Sequence, residues 1–370
     1  MKNLIYSFYA VIFNISAKLF KVKKNRVTFV SMHNENFNDG LGGVYQQLKN
    51  EGGYDFVFIT RRDLEVKARN IFRVFSFFFI KSRKLATSKY VFLNDNFMPM
   101  AKLNFQKQTV VTQLWHAEGV FKKFGLAIEQ PENVRKNEIE LNKRLTYVVC
   151  TSKQIVPYYA EAFGVDESKV LPLGSARTDY FFKDGVAKAA RVRLESEYPI
   201  LKGKKAVLYA PTFRDIPECN TGILSHFDVN LFNEKLGGEY MLLVRLHPQI
   251  HENIESAGNA IDVTDFDDVR DLVLACDVLV TDYSSICMDF SLLNKKTVFF
   301  AYDLEEYIAM RDFYFDYETY VPGAVVRDTN GIIQEIQKPF DGEKNDKFKK
   351  INFDHADGNS AERIVNAIIK

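Results

Sequence analysis

Val278-Leu279-Val280-Thr281-Asp282-Tyr283-Ser284-Ser285-Ile286-Cys287-Met288-Asp289-Phe290-Ser291-Leu292-Leu293-Asn294 is the stretch that decides the fold. Four residues, Val278–Thr281, carry no alternation of polar and apolar side chains, as a strand buried on both faces requires. A polar turn follows, and two serines open an amphipathic run, Ile286–Asn294, that predicts a helix. A second β-rich run, Thr297–Phe300, comes directly after. Strand, helix and strand in this order form one parallel βαβ unit.

The same rhythm extends in both directions. Upstream, strands are expected at Arg26–Met32, Tyr54–Thr60, Tyr90–Leu93, Gln108–Trp115, Thr146–Cys150 and Val170–Leu173. A polar, Gly-bearing loop, His33–Gly43, follows the first. A helix over Ser152–Phe163 is closed by Gly164. A second set of strands is expected at Ala206–Ala210, Met241–Leu246, Ile261–Val263, Val278–Thr281 and Thr297–Phe300. Helical patterns lie at Leu231–Leu236, Val269–Ala275, Ile286–Asn294 and Ala361–Ile369. The charged segment Lys183–Lys204, with Pro199 and Gly203, separates the two sets. The expected architecture is α/β, with two doubly wound Rossmann-like domains facing a cleft. The boundaries are 1–24 for an N-terminal helix, 25–182 for the first domain and 203–370 for the second. Ligands of such sheets bind at the carboxyl ends of the strands.

Composition narrows the class. The 370 residues are 46% hydrophobic and 26% charged, which excludes a disordered chain. The four cysteines, Cys150, Cys219, Cys276 and Cys287, show no CxxC or Cys/His metal spacing and read as buried thiols of a reducing compartment. The net charge of +1 looks like evidence against a polyanion as partner. That balance is a cancellation. Residues 1–30 hold +6 with no acid, and residues 61–90 hold +7, so the remaining 310 carry −12.

Both basic stretches are also apolar and aromatic. Leu4–Phe20 is too short and too interrupted by Ser7, Asn14 and Ser16 for a spanning helix, and the lysines that follow do not make a signal-peptide cleavage site. It reads as an interfacial helix on anionic lipid. Ile71–Ile80, rich in Phe, is the second candidate for that surface. Core helices are the plainer reading of each.

Four constellations follow strands. In Trp115–Gly125, His116 is placed to act as a general base, with Gly119, Lys122 and Lys123 available to phosphate oxygens. Tyr209–Asp215 contains Pro211, Thr212 and Arg214. Arg245 and His247 of Arg245–Pro248 present two phosphate donors on one side of an extended chain. Asp282, Ser284, Ser285 and Asp289 surround a helix N-terminus, an anion-binding arrangement. Each also has a structural reading, as a strand-end turn or a cap. GxGxxG, P-loop, DxD and nucleophile-elbow motifs are absent, and Asn94-Asp95-Asn96 is too weak to stand for a DxD. The pattern calls for a phosphate-bearing substrate, with no cofactor and no metal expected and nothing that points to nucleic acid.

Taken together, WHAEGVFKKFG, LYAPTFRD, RLHP, VTDYSSICMDFSLLNKKTVFFAYDLEEY and FYFDYETYVPG resemble the CDP-glycerol glycerophosphotransferases of wall teichoic acid synthesis, over about residues 25 to 330. Within the family, His116-Ala117 with Lys122-Lys123-Phe124-Gly125 is most similar to the glycerol-phosphate primase branch. The resemblance implies a GT-B fold and a peripheral enzyme on the cytoplasmic face of the membrane. It implies transfer of sn-glycerol 3-phosphate from CDP-glycerol to ManNAc-GlcNAc-diphospho-undecaprenol, releasing CMP. It places Arg177, Pro211, Thr212, Arg245, His247, Ser284, Ser285 and Asp289 around the donor, with Arg214, Lys122 and Lys123 as neighbours. His116 becomes the catalytic base, and His247 the group that stabilises the diphosphate or leaving CMP. The loop Ser175-Ala176-Arg177 departs from relatives that often carry Pro before the Arg. Open alternatives are a poly(glycerol phosphate) or ribitol-phosphate polymerase, and a nucleotide-sugar glycosyltransferase on the same fold.

Overall fold

The computed structural model describes residues 2–32, 37–64, 71–214, 222–247, 250, 252, 254 and 260–370. Of the expectations above, Asp215, Pro248, Cys219, four residues of the loop 33–43 and part of the second basic stretch lie outside them. The chain divides into two compact units, Met1–Asp179 with Asn352–Lys370, and Tyr180–Ile351.

The first unit is built on a six-stranded parallel sheet in the order β2-β1-β3-β4-β5-β6. Its strands are β1 (Lys23–Ser31), β2 (Asp55–Thr60), β3 (Ser88–Leu93), β4 (Val110–Gln113), β5 (Tyr147–Cys150) and β6 (Val170–Pro172). Phe29 pairs in register with Phe58 on one side and Phe92 on the other. The three rings stack across the strands at 5.7 and 5.8 Å, so one aromatic row spans the sheet centre. Leu41, Val44 and Leu48 of helix Gly40–Glu51 cover this face together with Ile364, Val365 and Ile368 of helix Ser360–Ile368.

The C-terminal helix therefore belongs to the first unit, and the boundary 203–370 is corrected at its end. Its apolar residues recur at helical spacing, and the sheet they cover is the first one. Asp179 fixes the return by accepting the amides of Ser360 and Ala361 at 2.9 and 2.7 Å. The segment 183–204 is likewise more than a linker. It forms helix Val186–Glu197 of the second unit, packed on helix Val269–Ala275.

The helix Lys2–Leu19 is not a separate layer either. Tyr9, Ala10 and Phe13 are buried, with Tyr9 stacked on Phe77 at 4.5 Å and Phe13 against Phe105 at 5.0 Å. Asn14 donates to the Lys102 carbonyl and accepts from the Asn104 amide, locking the helix to the unit. Its other face remains exposed. Leu4, Phe8, Val11, Ile15 and Leu19 recur three and four residues apart, each at least half exposed. Phe72, Phe75, Phe79 and Ile80 are exposed as well, and Phe8 touches Phe78 and Phe79 at 5.2 and 6.4 Å, joining the two stretches. Among the described residues, no helix is long and apolar enough to cross a membrane.

The second unit carries a parallel sheet in the order β12-β11-β10-β7-β8-β9. Its strands are β7 (Lys205–Ala210), β8 (Tyr240–Val244), β9 (Ile261–Asp262), β10 (Val278–Thr281), β11 (Lys296–Phe300) and β12 (Ala324–Val326). From the other edge this is the doubly wound order 3-2-1-4-5-6, with the order reversing between β7 and β10. In the first sheet the reversal falls between β1 and β3. β12, too short and too late in the chain to read from periodicity, completes the edge.

Ile364→Ala in the C-terminal helix is expected to destabilise the first unit by about 2–5 kcal/mol. Denaturant unfolding followed by fluorescence of Trp115, which lies in that unit, checks it, and an unchanged transition contradicts the assignment of the helix.

Candidate active site

The expected site residues fall at strand ends in both units. In the first, β4 stops at Gln113, two residues earlier than its apolar pattern suggests. The reason is Trp115, which adopts φ +60° and swings the chain out of the strand. Gln113 is fully buried and holds the turn, its side-chain oxygen accepting the Trp115 amide at 3.1 Å and its amide donating to the Asp95 carbonyl at 3.3 Å. Trp115 then packs on Phe124 at 5.2 Å and on Phe163, and His116 emerges exposed beside it. The His116 Nδ1 lies 3.3 Å from the Asn94 carbonyl.

A recess beside His116 is lined by Asp39, Glu118, Thr151, Ser175 and Arg177. Glu118 was not among the expected site residues. Its buried carboxylate pairs with Arg177 at 3.2 Å and accepts the Ser175 hydroxyl at 2.9 Å, so it holds the Ser175-Ala176-Arg177 loop against the His116 loop. Gly119 supplies a turn, its amide donating to the Thr151 hydroxyl at 3.1 Å and its φ at +62°. Tyr159 closes that turn by donating to the carbonyls of Ala117 and Gly119. Lys122 and Lys123 are half-buried on the following segment.

In the second unit, the loops after β7, β10 and β11 meet on one guanidinium. Arg214 is buried, pairing with Asp282 at 3.0 Å and in bidentate fashion with Asp303 at 2.7 and 3.0 Å, and it donates to the Thr212 carbonyl. The rings of Tyr283 and Tyr307, stacked on each other at 3.6 Å, lie beside it with centroids 5.0 and 5.2 Å away. Burial works against its charge, yet Asp282 and Asp303 outweigh burial and push its pKa up. Asp282 also accepts the amides of Thr212 at 2.8 Å and Tyr283 at 2.6 Å. Arg214 and Asp282, expected at the donor, shape the loops that carry Pro211, Thr212, Ser284 and Ser285. Asp303, outside the expected set, also follows a strand. The strand-end rule that found the others applies to it equally.

Ser285 is exposed at the start of helix Ile286–Leu292, while the Ser284 hydroxyl accepts the Ile286 amide at 3.4 Å. Asp289, one turn on, is buried within that helix rather than open to solvent. Past β8, His247 stacks on Phe213 at 4.4 Å. Arg245 directs one arm into the carbonyls of Val263 and Phe266 at 3.0 and 3.2 Å, and burial lowers its pKa. Thr212, Ser284, Ser285 and His247 are therefore the expected groups that this unit brings to the strand ends around its point of reversal.

The sequence profile of the CDP-glycerol:poly(glycerophosphate) glycerophosphotransferases matches residues 11–370. The chain belongs to this family of transferases. It is 30% identical to a teichoic acid ribitol-phosphate primase of Bacillus spizizenii, over all of this chain and 97% of that protein. It is 33% identical to the teichoic acid glycerol-phosphate primase of Bacillus subtilis, over 78% of this chain and 76% of the relative. A teichoic acid poly(ribitol-phosphate) polymerase of B. spizizenii is 32% identical, and the chain spans only 57% of its length. Among solved structures, the wall teichoic acid polymerase TagF superposes with a TM-score of 0.78 at 22% identity, over 99% of this chain and 93% of that one. The expected GT-B type of α/β fold, with two doubly wound sheets, is the fold of this chain.

Replacing Arg214 by Ala leaves the buried Asp282 and the half-buried Asp303 without their cation, and is expected to cost about 3–5 kcal/mol. Thermal or denaturant unfolding of the variant checks this. A stability within about 0.5 kcal/mol of the parent, the range for ordinary surface changes, contradicts the clamp.

Proposed function

We propose that the protein transfers sn-glycerol 3-phosphate from CDP-glycerol to a sugar hydroxyl of a lipid-linked acceptor, releasing CMP. The observation that carries this reading is His116, exposed at the end of β4 with its Nδ1 against a backbone carbonyl, in a chain that matches the family over nearly its whole length. In this reading the acceptor oxygen attacks the glycerol-bearing phosphorus. The bond from that phosphorus to the CMP oxygen breaks, and the acceptor proton passes to His116. Such transfers need positioning and charge stabilisation more than covalent catalysis. Arg177, His247, Thr212 and the amides and hydroxyls at Ser284 and Ser285 are the groups proposed to meet the diphosphate.

The proposed acceptor is ManNAc-GlcNAc-diphospho-undecaprenol, receiving a single unit. A second reading, ribitol-phosphate transfer, is favoured by the end-to-end match to a ribitol-phosphate primase. We place the enzyme at the cytoplasmic face of the membrane. The exposed row Leu4, Phe8, Val11, Ile15, Leu19, continued by Phe72, Phe75 and Phe79, would enter the headgroup layer. Exposed Lys18, Lys21, Lys23, Lys24, Arg73 and Arg83 flank it for anionic lipid.

With a synthetic lipid-disaccharide acceptor and labelled CDP-glycerol or CDP-ribitol, the expected product is one added glycerol phosphate. A ladder overturns the single-unit reading, and turnover of CDP-ribitol alone overturns the glycerol-phosphate reading in favour of the ribitol-phosphate one. His116→Ala is expected to fold and lose about 10²–10⁴-fold in kcat, and near-normal turnover sinks the base assignment. Phe8→Asp combined with Phe72→Asp is expected to abolish flotation with vesicles rich in anionic lipid. Flotation equal to the parent's contradicts the membrane face.

A further inference from the structure

We propose that the loop Asn94–Asn96 is the device that fixes the ring orientation and tautomer of His116, making Asn94 and Gln113 positioning residues. This rests on the reading of His116 as the base and says how that base is held.

The loop follows β3, beside the point where the order of the first sheet reverses. Asn94 is fully buried, and both polar ends of its side chain are engaged. Its side-chain oxygen accepts the Met32 amide at 3.2 Å, which ties the loop to the end of β1. Its amide donates to Asp39 at 2.5 Å and to the Ser31 hydroxyl at 3.3 Å. Asp39 is itself anchored, its other oxygen accepting the Gly42 amide as the cap of helix Gly40–Glu51. The Asn94 carbonyl that faces His116 is therefore held from three sides. Asp95 and Asn96 brace the same loop. The Asp95 carbonyl accepts Gln113, the Asp95 side chain accepts the Asn96 amide at 2.6 Å, and Asn96 donates to Glu138 at 3.1 Å.

The chemistry follows from one asymmetry. A backbone carbonyl only accepts hydrogen bonds, so a neutral His116 that meets it at 3.3 Å carries its proton on Nδ1. Nε2 is then the basic nitrogen of the ring, the one able to take an acceptor proton. Gln113 fixes the other side of the arrangement, setting the Trp115 backbone at φ +60° and so the direction in which His116 leaves the strand. Two buried amide side chains, one following β3 and one ending β4, thus define the base.

The test uses the full-length protein labelled with 15N-histidine. A long-range 1H–15N spectrum at alkaline pH, with the His116 signals identified by their loss in His116→Ala, is expected to show the Nδ1–H pattern. An Nε2–H pattern in the parent overturns the proposal without any kinetics. Asn94→Asp sets two carboxylates against each other, and should lower kcat on the order of 10- to 100-fold, as for partners that orient metal-binding imidazoles. The KM for CDP-glycerol should change less than about twofold, with the His116 signals redistributed between tautomers. Adding Asp39→Asn to Asn94→Asp restores a donor facing an acceptor, and should recover both rate and tautomer. A folded double variant as impaired as the single one overturns the proposal. Gln113→Leu gives an independent arm, expected to shift the tautomer signature if Asn94→Asp does not fold. If His116→Ala turns over normally, the base reading fails, whereas the tautomer signature still decides the positioning.

Discussion

One buried guanidinium organises the second unit. Parallel strands end on one edge of their sheet, and the loops that leave them have no ladder to hold them. Arg214 supplies the missing constraint by pairing with Asp282 after β10 and Asp303 after β11 from its own place after β7. Burying Arg214 and Asp282 is costly, and it is tolerated because the fork also meets the half-buried Asp303 and the Thr212 carbonyl. The return is geometric. Thr212 hangs from Asp282 through its amide, and Tyr283 is pinned between Asp282 and Asp303, so the serines that follow start from a fixed point.

In the first unit the buried Glu118–Arg177 pair holds the Ser175 loop, and two amide side chains hold the loops of the central strands. There the reversal of strand order lies between β1 and β3, and Asn94 with Gln113 ties the loops of β1, β3 and β4. Each unit therefore carries its polar residues on loops whose shape is set by one or two fully buried side chains.

The sheet core was legible because it is monotonous. Val278–Thr281 and its counterparts are apolar on both faces, and helices interrupt them at regular intervals. Legibility ended where long-range pairing decides the outcome. Nothing local marks Ser360–Ile368 as the partner of the first sheet, because its apolar spacing suits either one. Arg214 and Asp282 read as ligand groups because a charged residue after a strand looks the same whether it faces a substrate or a second carboxylate 89 positions away. In the sequence, Asn94 stands only in a triplet too weak for a metal motif. Its use is set by Asp39 and Met32, more than fifty residues upstream. The opening charge balance concealed the +13 carried by residues 1–30 and 61–90, and Phe8 brings aromatic side chains of both onto one exposed surface.

The central claim is that donor chemistry occurs where strands end, at loops held by these buried residues. Hydrogen–deuterium exchange with and without CDP-glycerol tests it most directly. The account predicts slowed exchange at 114–119, 211–214 and 282–286. The groove at the opposite end of the second sheet, around Lys204, Lys205, Glu239 and Asp277, should not change. Protection confined to that groove, with the strand-end loops unaffected, would contradict it.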